Sequence, residues 1–207
     1  MSSRYLNEML RLKCLGDIHA LKVFPNVKEV TESFGAYNAV RTHLVDQIPE
    51  GFANPKVMVL AVGDGNTPRT GVTFAFRSRW CCMSVDPRMK KKFCWDYGSF
   101  GVKRCAADNT TIEKYCDTTR NYYRVIGSNI ANADVYGILV SVHSHAQLRY
   151  GVETLYVAGV RNVAVVDIPC CFNYKLRISP NHTYKDSGIL SPKNEVRVWN
   201  FRHPMEY

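Results

Sequence analysis

The sequence predicts an α/β fold in which a mostly parallel sheet carries helices on both faces and ends in an antiparallel strand. Two observations predict this fold. Short apolar, β-branched runs alternate along the chain with stretches of helical spacing, which is the order expected of parallel strands joined by crossover helices. The last apolar run, Glu195–Phe201, follows a turn-rich tail and is interpreted as the antiparallel closing strand.

Length and composition favour one compact body. The 207 residues, 46% of them hydrophobic, can bury a sizeable core but are too few for two ordinary domains. We expect residues 1–50 to form a helical segment packed on the core and residues 51–207 to form the sheet domain. The charged N-terminus does not resemble a signal peptide, and no apolar run approaches a membrane span, so we expect no membrane partner.

The cysteines indicate a reducing compartment, cytoplasmic or nuclear. The eight cysteines lie largely in apolar runs, among them Cys81, Cys82, Cys170 and Cys171. Cys94, Cys105 and Cys116 recur every eleven residues but form no C-x-x-C pair, so no metal site is predicted and zinc is the less favoured alternative.

The first fifty residues have helical periodicity. Tyr5–Leu12 and Lys28–Gln47 carry apolar positions at spacings of three and four residues. Pro49 and Gly51 then close the region.

A strand, a glycine turn and a helix follow. Val57–Val62 is a short apolar run typical of a buried parallel strand. Gly63 and Gly65 interrupt it with residues that tolerate positive φ or close approach of a ligand. Thr70–Arg79 resumes as a helix whose first turn would present free N–H groups toward a ligand held by the turn.

A second strand ends in an acidic residue. Cys81–Val85 is apolar, and Asp86 follows it about twenty residues after the turn, where a carboxylate can accept hydrogen bonds from ribose hydroxyls. The alternative is that the glycines serve a tight connection and that Asp86 caps a loop. The joint placement of turn and acid favours the ligand site.

The rest of the chain supplies further strands. Residues 87–120 are basic and turn-rich, a loop long enough to be functional or mobile. A helix is predicted over Ala146–Ala158, and strands are predicted over Tyr122–Ile126, Gly137–Val142 and Val163–Ile168.

Two stretches resemble class I, Rossmann-like S-adenosylmethionine (SAM)-dependent methyltransferases. Residues 57–89 are similar to the first two strands of that family, where the first turn lies against the methionine moiety of SAM. Residues 136–172 look like a group in which a histidine follows strand four and strand five ends in Pro-Cys-Cys, here Pro169, Cys170 and Cys171. Pro68 stands near the expected diphosphate position of a dinucleotide, which favours SAM over a nicotinamide cofactor.

The resemblance implies a set of cofactor contacts. Asp86 would hold the ribose, and Ser128 and Asn129 would lie on the adenine side, where many relatives carry an aspartate. The complete set of implied cofactor residues is Gly63, Asp64, Gly65, Thr67, Pro68, Asp86, Ser128, Asn129 and His143.

The same resemblance places His143 and His145 beside the transferred methyl group, where a histidine could orient a substrate or act as a base. The alternative is that these histidines are polar residues at a strand end that form hydrogen bonds with the backbone. The acceptor atom stays open, because the chain lacks the ribose 2′-O tetrad and the Asp/Asn-Pro-Pro-aromatic run of amino-methyltransferases. A nucleophilic role for Cys170 or Cys171 is a less favoured alternative, because a cysteine at an apolar strand end is usually inert.

The net charge of +9 predicts a polyanionic partner. RNA is the favoured partner because basic and aromatic residues alternate beside the proposed turn. The predicted nucleic-acid contacts are Arg88, Lys90, Lys91, Lys92, Lys103 and Arg104, within a basic cluster that also includes Arg77 and Arg79. The interleaved aromatic residues that could stack on bases are Trp80, Phe93, Trp95, Tyr97 and Phe100. The alternative is a solvated basic loop over an ordinary core.

Three functions follow from these patterns. The first is a SAM-dependent methyltransferase acting on RNA. The second is a SAM-fold protein without catalysis that serves as a nucleic-acid-binding or assembly subunit with a protein partner. The third is another nucleotide-binding enzyme, disfavoured by Pro68.

Overall fold

A seven-stranded sheet organises the part of the chain that the computed structural model describes, namely residues 3–94, 104–112, 114, 135–171 and 176–207. The strand order is β3-β2-β1-β4-β5-β7-β6. Strands β1 to β5 are parallel, and β7 runs antiparallel to both β5 and β6. The strands are β1 (Val57–Val62), β2 (Cys81–Val85), β3 (Cys105–Asp108), β4 (Tyr136–Val142), β5 (Asn162–Ile168), β6 (His182–Lys185) and β7 (Glu195–Arg202).

Helices cover both faces of this sheet. One apolar cluster joins the third and fourth helices to one face, and a second cluster joins the fifth helix to the other. The helices are α1 (Arg4–Leu10), α2 (Leu15–Leu21), α3 (Val27–His43), α4 (Arg69–Arg77) and α5 (Leu148–Val157). The chain therefore has the predicted Rossmann-like α/β fold, with helices on both faces and an antiparallel end.

The side-chain alternation of a strand explains why β1 is apolar throughout. In β1, Val57 and Val59 pack toward α3 and α4, whereas Met58 and Leu60 pack toward α5. Every residue of β1 is buried. A strand covered on both faces has no side chain in contact with solvent, so none of its positions needs to be polar. This is why the sequence shows β1 as a continuous apolar run.

Most predicted elements are confirmed. β1 and β2 have the predicted bounds, and β4, β5 and β7 each extend the prediction by a single residue at one end. The predicted helices 5–12, 28–47, 70–79 and 146–158 correspond to α1, α3, α4 and α5 with shorter C-terminal ends.

Among the α-helices and strands of the described residues, three were not predicted. α2 lies between the two predicted N-terminal helices, β3 lies within the stretch assigned to a basic loop, and β6 lies within the turn-rich tail. β3 is only four residues long, and β6 is an edge strand whose side chains are all partly or fully exposed, so neither has a strong apolar pattern. The predicted strand Tyr122–Ile126 lies outside the described residues.

The N-terminal helices share a core with the sheet. Phe34 and Val40 of α3 belong to the same apolar cluster as Ile138 and Val198 of the strands. Among the described residues, no helix combines the length and the apolar character needed to cross a membrane.

Candidate functional site

The candidate site lies where the strand order reverses. β1 is flanked by β2 on one side and β4 on the other, and Val62 at the end of β1 pairs with Ser141 of β4. In open parallel sheets the ends of such strands diverge and leave a crevice that binds ligands. The turns after β1, β2 and β4 therefore meet at this point.

The turn after β1 needs its glycines because protein groups pack against it. Gly63 and Gly65 have φ of 70° and 76°. A Cβ on Gly63 would lie 1.9 Å from Oγ of Ser144, and one on Gly65 would lie 2.8 Å from a guanidinium nitrogen of Arg69. Both glycines therefore make room for side chains of the same chain.

The carboxylate of Asp64 forms hydrogen bonds with groups of the same chain. Its buried carboxylate accepts hydrogen bonds from the backbone N–H of Thr70 at 3.0 Å, from that of Gly71 at 3.2 Å and from the hydroxyl of Ser84 at 2.8 Å. The first turn of α4 is therefore satisfied by Asp64, and the expectation that these N–H groups are free for a ligand was wrong.

Thr67 and Pro68 complete this connection. The buried hydroxyl of Thr67 donates to the carbonyl of Val23 at 2.6 Å, and Pro68 immediately precedes α4. Neither Thr67 nor Pro68, nor Asp64, is among the residues that line the cavity described below.

Asp86 closes the end of β2 and holds the glycine turn. Its Oδ2 accepts from the N–H of Gly65 at 2.8 Å, and its Oδ1 accepts from the N–H of Arg88 at 2.7 Å. A carboxylate has about four lone-pair sites, so two accepted hydrogen bonds leave acceptor capacity for a ligand. Asp86 is thus both oriented by backbone and able to bind hydroxyl groups.

A cavity of about 380 Å³ opens beside Asp86. Its volume lies within the range typical of small-molecule and cofactor sites, roughly 300–1,000 Å³. Apolar and polar groups both line it, and the lining residues are Gly63, Val85, Asp86, Pro87, Arg88, Thr111, Ile112, Ser144, His145 and Ala146.

The two histidines after β4 lie in different environments. His143 has φ of 50°, and its Nε2 lies 3.3 Å from a carboxylate oxygen of the buried Glu32 on α3. Burial lowers the pKa of His143, while the Glu32 carboxylate opposes that shift. His145 lines the cavity beside Asp86, so the structure separates the two predicted catalytic residues.

His145 also meets the two cysteines that follow β5. Its Nε2 lies 3.3 Å from Sγ of Cys170, which lies 3.8 Å from Sγ of Cys171. Burial raises the pKa of the Cys170 thiol. The sequence analysis identified the histidine after strand four and the Pro-Cys-Cys run after strand five separately. The structure brings them together because β4 and β5 lie side by side in the parallel sheet.

The adenine-side prediction concerns residues that the structure does not describe, and it stays a prediction. Ser128 and Asn129 were chosen because they follow a predicted strand at 122–126, and all these residues lie outside the described part of the chain. The third strand of the sheet ends instead at Asp108, next to the end of β2, where Asp86 N–H donates to the Asp108 carbonyl at 3.2 Å. An aspartate therefore stands at the end of strand three.

Five of the predicted nucleic-acid contacts lie at the surface, and their contact with nucleic acid stays a prediction. Arg88, Lys90, Lys91, Lys92 and Arg104 are exposed. Lys103 and the aromatic residues Trp95, Tyr97 and Phe100 lie outside the described residues.

Three members of the predicted basic and aromatic surface are instead packed inside. Trp80 is fully buried and Phe93 nearly so, which removes both as platforms for bases. Arg77 lies over the rings of Phe34 and Tyr37, so its charge does not belong to the exposed rim.

Comparisons with known proteins find a resemblance among solved structures. No family model matches the chain, and no curated protein matches it. Among solved structures, a cyclopropane-fatty-acyl-phospholipid synthase-like protein from Lactobacillus casei ATCC 334 is similar, with 13% identity and a TM-score of 0.41. The match covers 75% of this chain and 57% of the other, so this chain spans little more than half the length of that protein.

Proposed function

We propose that this protein binds SAM in the cavity beside Asp86 and transfers its methyl group to an acceptor. The observation that carries the proposal is the placement of Asp86. The carboxylate ends β2, is held by the N–H groups of Gly65 and Arg88, and lines a cavity at the point where the strand order reverses.

The lining of the cavity is compatible with the parts of SAM. Asp86 offers acceptors suited to two ribose hydroxyls, and Val85, Pro87 and Ile112 offer apolar contacts suited to a purine face. Thr111, just beyond the end of β3, lines the cavity on the side where the adenine edge would lie, and Asp108 ends β3 next to Val85. The turn offers no free helix N-terminus for a diphosphate, because Asp64 occupies that of α4.

When bound, SAM supplies an electrophilic methyl group. His145 is the histidine that lines this cavity, so it is the stronger candidate for contact with the acceptor, either to orient it or to accept its proton. His143 faces Glu32 on the side of α3 and is better suited to positioning the loop after β4.

Calorimetric titration of the purified chain with SAM, S-adenosylhomocysteine and NAD tests the proposal. We expect binding of SAM and S-adenosylhomocysteine but not of NAD. Asp86→Asn replaces the charged carboxylate that would accept hydrogen bonds from the ribose hydroxyls with a neutral amide. Because hydrogen bonds to charged groups contribute about 1.5–3 kcal/mol, we expect SAM affinity to fall roughly 10- to 100-fold.

Asp46→Asn serves as the matched control, because it removes one carboxylate from an exposed position in the N-terminal region. We expect wild-type affinity in this variant. Failure of the wild-type chain to bind SAM, or equal SAM affinity in Asp86→Asn and Asp46→Asn, would contradict the proposed site.

A noncatalytic subunit is the second candidate, favoured by the burial of His143 against Glu32, which leaves the cavity with one of the two predicted catalytic histidines. Transfer of a labelled methyl group from SAM to RNA, with His145→Ala as the variant, distinguishes the two. Transfer that His145→Ala abolishes while SAM still binds indicates an enzyme. SAM binding without transfer to RNA, DNA or protein indicates the subunit.

A further inference from the structure

The loops after β4 and β5 bring three potential metal ligands together. Val142 and Ile168 end these strands in direct register, and the N–H of His143 donates to the carbonyl of Ile168 at 2.7 Å, which extends the pairing by one residue. His145 lies in the loop that follows Val142, and Cys170 and Cys171 lie in the loop that follows Ile168. Their positions are therefore set by the central strands of the sheet.

Two of the three distances between the ligand atoms are close to those of one coordination shell. The imidazole and the two thiols place their ligand atoms within 4.8 Å of one another. Zinc bonds of about 2.3 Å to sulfur and 2.0–2.1 Å to nitrogen, at tetrahedral angles, place two sulfurs about 3.8 Å apart and a sulfur and a nitrogen about 3.5 Å apart. The observed separations are 3.8 Å between Sγ of Cys170 and Sγ of Cys171, and 3.3 Å between Sγ of Cys170 and Nε2 of His145.

The ligand types identify the class of metal. Thiolate sulfur and imidazole nitrogen favour zinc and other thiophilic ions, whereas magnesium and calcium require oxygen ligands. Two cysteines and one histidine leave one position of a tetrahedron open, as in zinc sites that bind water or substrate. The two cysteines also line a cavity of about 310 Å³, which gives an additional ligand room to enter.

We propose that His145, Cys170 and Cys171 bind one zinc ion, with the fourth position open. Each thiol loses its proton to the solvent when its sulfur binds the metal. His145 belongs both to this cluster and to the cavity beside Asp86, so the ion would lie at the edge of that cavity. With zinc bound, His145 would orient an acceptor there and would not accept its proton, because the metal takes the one free lone pair of the imidazole. The proposal does not depend on SAM binding, because it concerns only the affinity of the chain for the metal.

Metal titration of the full chain tests the proposal. The protein is reduced and stripped with a chelator, and zinc is added in competition with a chromophoric chelator. We expect one zinc ion per chain. With cobalt(II) in place of zinc, we expect a sulfur-to-metal charge-transfer band and the visible absorption of a tetrahedral site.

His145→Ala, Cys170→Ser and Cys171→Ser each remove one ligand. Loss of a residue that only hydrogen-bonds to a metal ligand already lowers metal affinity about 10- to 100-fold. Loss of a ligand itself should therefore weaken zinc binding at least about 100-fold. The matched control is Cys14→Ser, which removes a half-buried thiol in the N-terminal region. It should bind zinc like the wild type, and thermal unfolding establishes that every variant is folded.

Two results would overturn the proposal. One is a reduced wild-type chain that takes up no zinc at micromolar concentration. The other is zinc affinity that stays at the wild-type value in each of the three ligand variants, or that falls as far in Cys14→Ser as in those variants. Retained zinc binding together with absent SAM binding would leave this proposal standing and contradict only the proposed function.

Discussion

Gly63 illustrates how one residue of the site is constrained by its neighbour across the crevice. Its positive φ is unfavourable for any residue with a Cβ, and the space that a Cβ would need is filled by Oγ and Cβ of Ser144, at 1.9 and 2.3 Å. The turn after β1 and the loop after β4 therefore approach more closely than two ordinary residues allow. This contact shapes the wall of the cavity that both residues line.

Gly63→Ala is expected to lower the free energy of unfolding by about 2–5 kcal/mol, the combined cost of left-handed backbone strain and overpacking. Gly159→Ala is the matched control, because Gly159 also has positive φ, 93°, but nothing lies within 4 Å of its would-be Cβ. It should cost only about 1 kcal/mol. Urea unfolding measures both variants.

Ser144→Gly removes the colliding side chain and should recover part of the loss when combined with Gly63→Ala. Equal destabilisation by Gly63→Ala and Gly159→Ala, with no recovery in the double variant, would show that the contact between Gly63 and Ser144 does not constrain the turn.

At the scale of elements, α4 begins without a side-chain cap from the residue before it. Pro68 occupies that position and makes no capping hydrogen bond. Asp64, which lies in the turn before α4, caps the helix instead. Its carboxylate accepts hydrogen bonds from the N–H groups of Thr70 and Gly71 and from the hydroxyl of Ser84 in β2. One carboxylate thus ties the turn, the helix and the neighbouring strand together, and its charge is favourable at a helix N-terminus.

Asp64→Ala should therefore lower the free energy of unfolding by about 2–4 kcal/mol, because it leaves buried N–H groups of α4 unpaired. Asp64→Asn keeps one acceptor oxygen and should cost less. The midpoint of urea unfolding reports both changes, with Asp46→Asn as the exposed control. An unchanged midpoint in Asp64→Ala would mean that water replaces the carboxylate at no cost.

At the scale of the whole molecule, the exposed lysines Lys90, Lys91 and Lys92 follow Asp86 closely in the chain. Met89 and Phe93 on either side of them are buried, so this short basic segment is held to the body of the protein by two apolar anchors. Such a segment could contact a polyanion that reaches the cavity, and together with the exposed Arg88 and Arg104 it forms the described part of the predicted nucleic-acid contacts.

We propose that these three lysines contact RNA phosphates. Replacing all three with alanine should weaken binding of a labelled single-stranded RNA and lower the magnitude of the log–log salt slope by about 2, because each phosphate contact contributes about 0.7. Fluorescence anisotropy over a range of salt concentrations measures the slope.

The matched control replaces Lys13, Lys56 and Lys185, three exposed lysines away from this segment, and removes the same charge. An equal change of slope in both triple variants would indicate a general charge effect, and no change in either would contradict the proposed contact.

Part of this fold was determined by local sequence alone. β1 and β2 are interior strands of a sheet covered on both faces, so their residues are apolar except Ser84 of β2, and their ends are marked by Gly63 and Asp86. Parallel order follows from the helices between the strands, and Asp86 was correctly placed at the carboxyl end of β2. These features depend on burial and chain order, which the sequence records directly.

Only the tertiary structure decided where the polar side chains of the site point. Asp64 and Asp86 both follow central strands, yet Asp64 caps α4 while Asp86 lines the cavity. Likewise His143 faces Glu32, whereas His145 meets Cys170 from 25 residues away. The direction of a loop side chain depends on the strands and helices packed around it, and contacts between distant residues depend on strand register. Neither quantity is encoded in a local pattern of residue types.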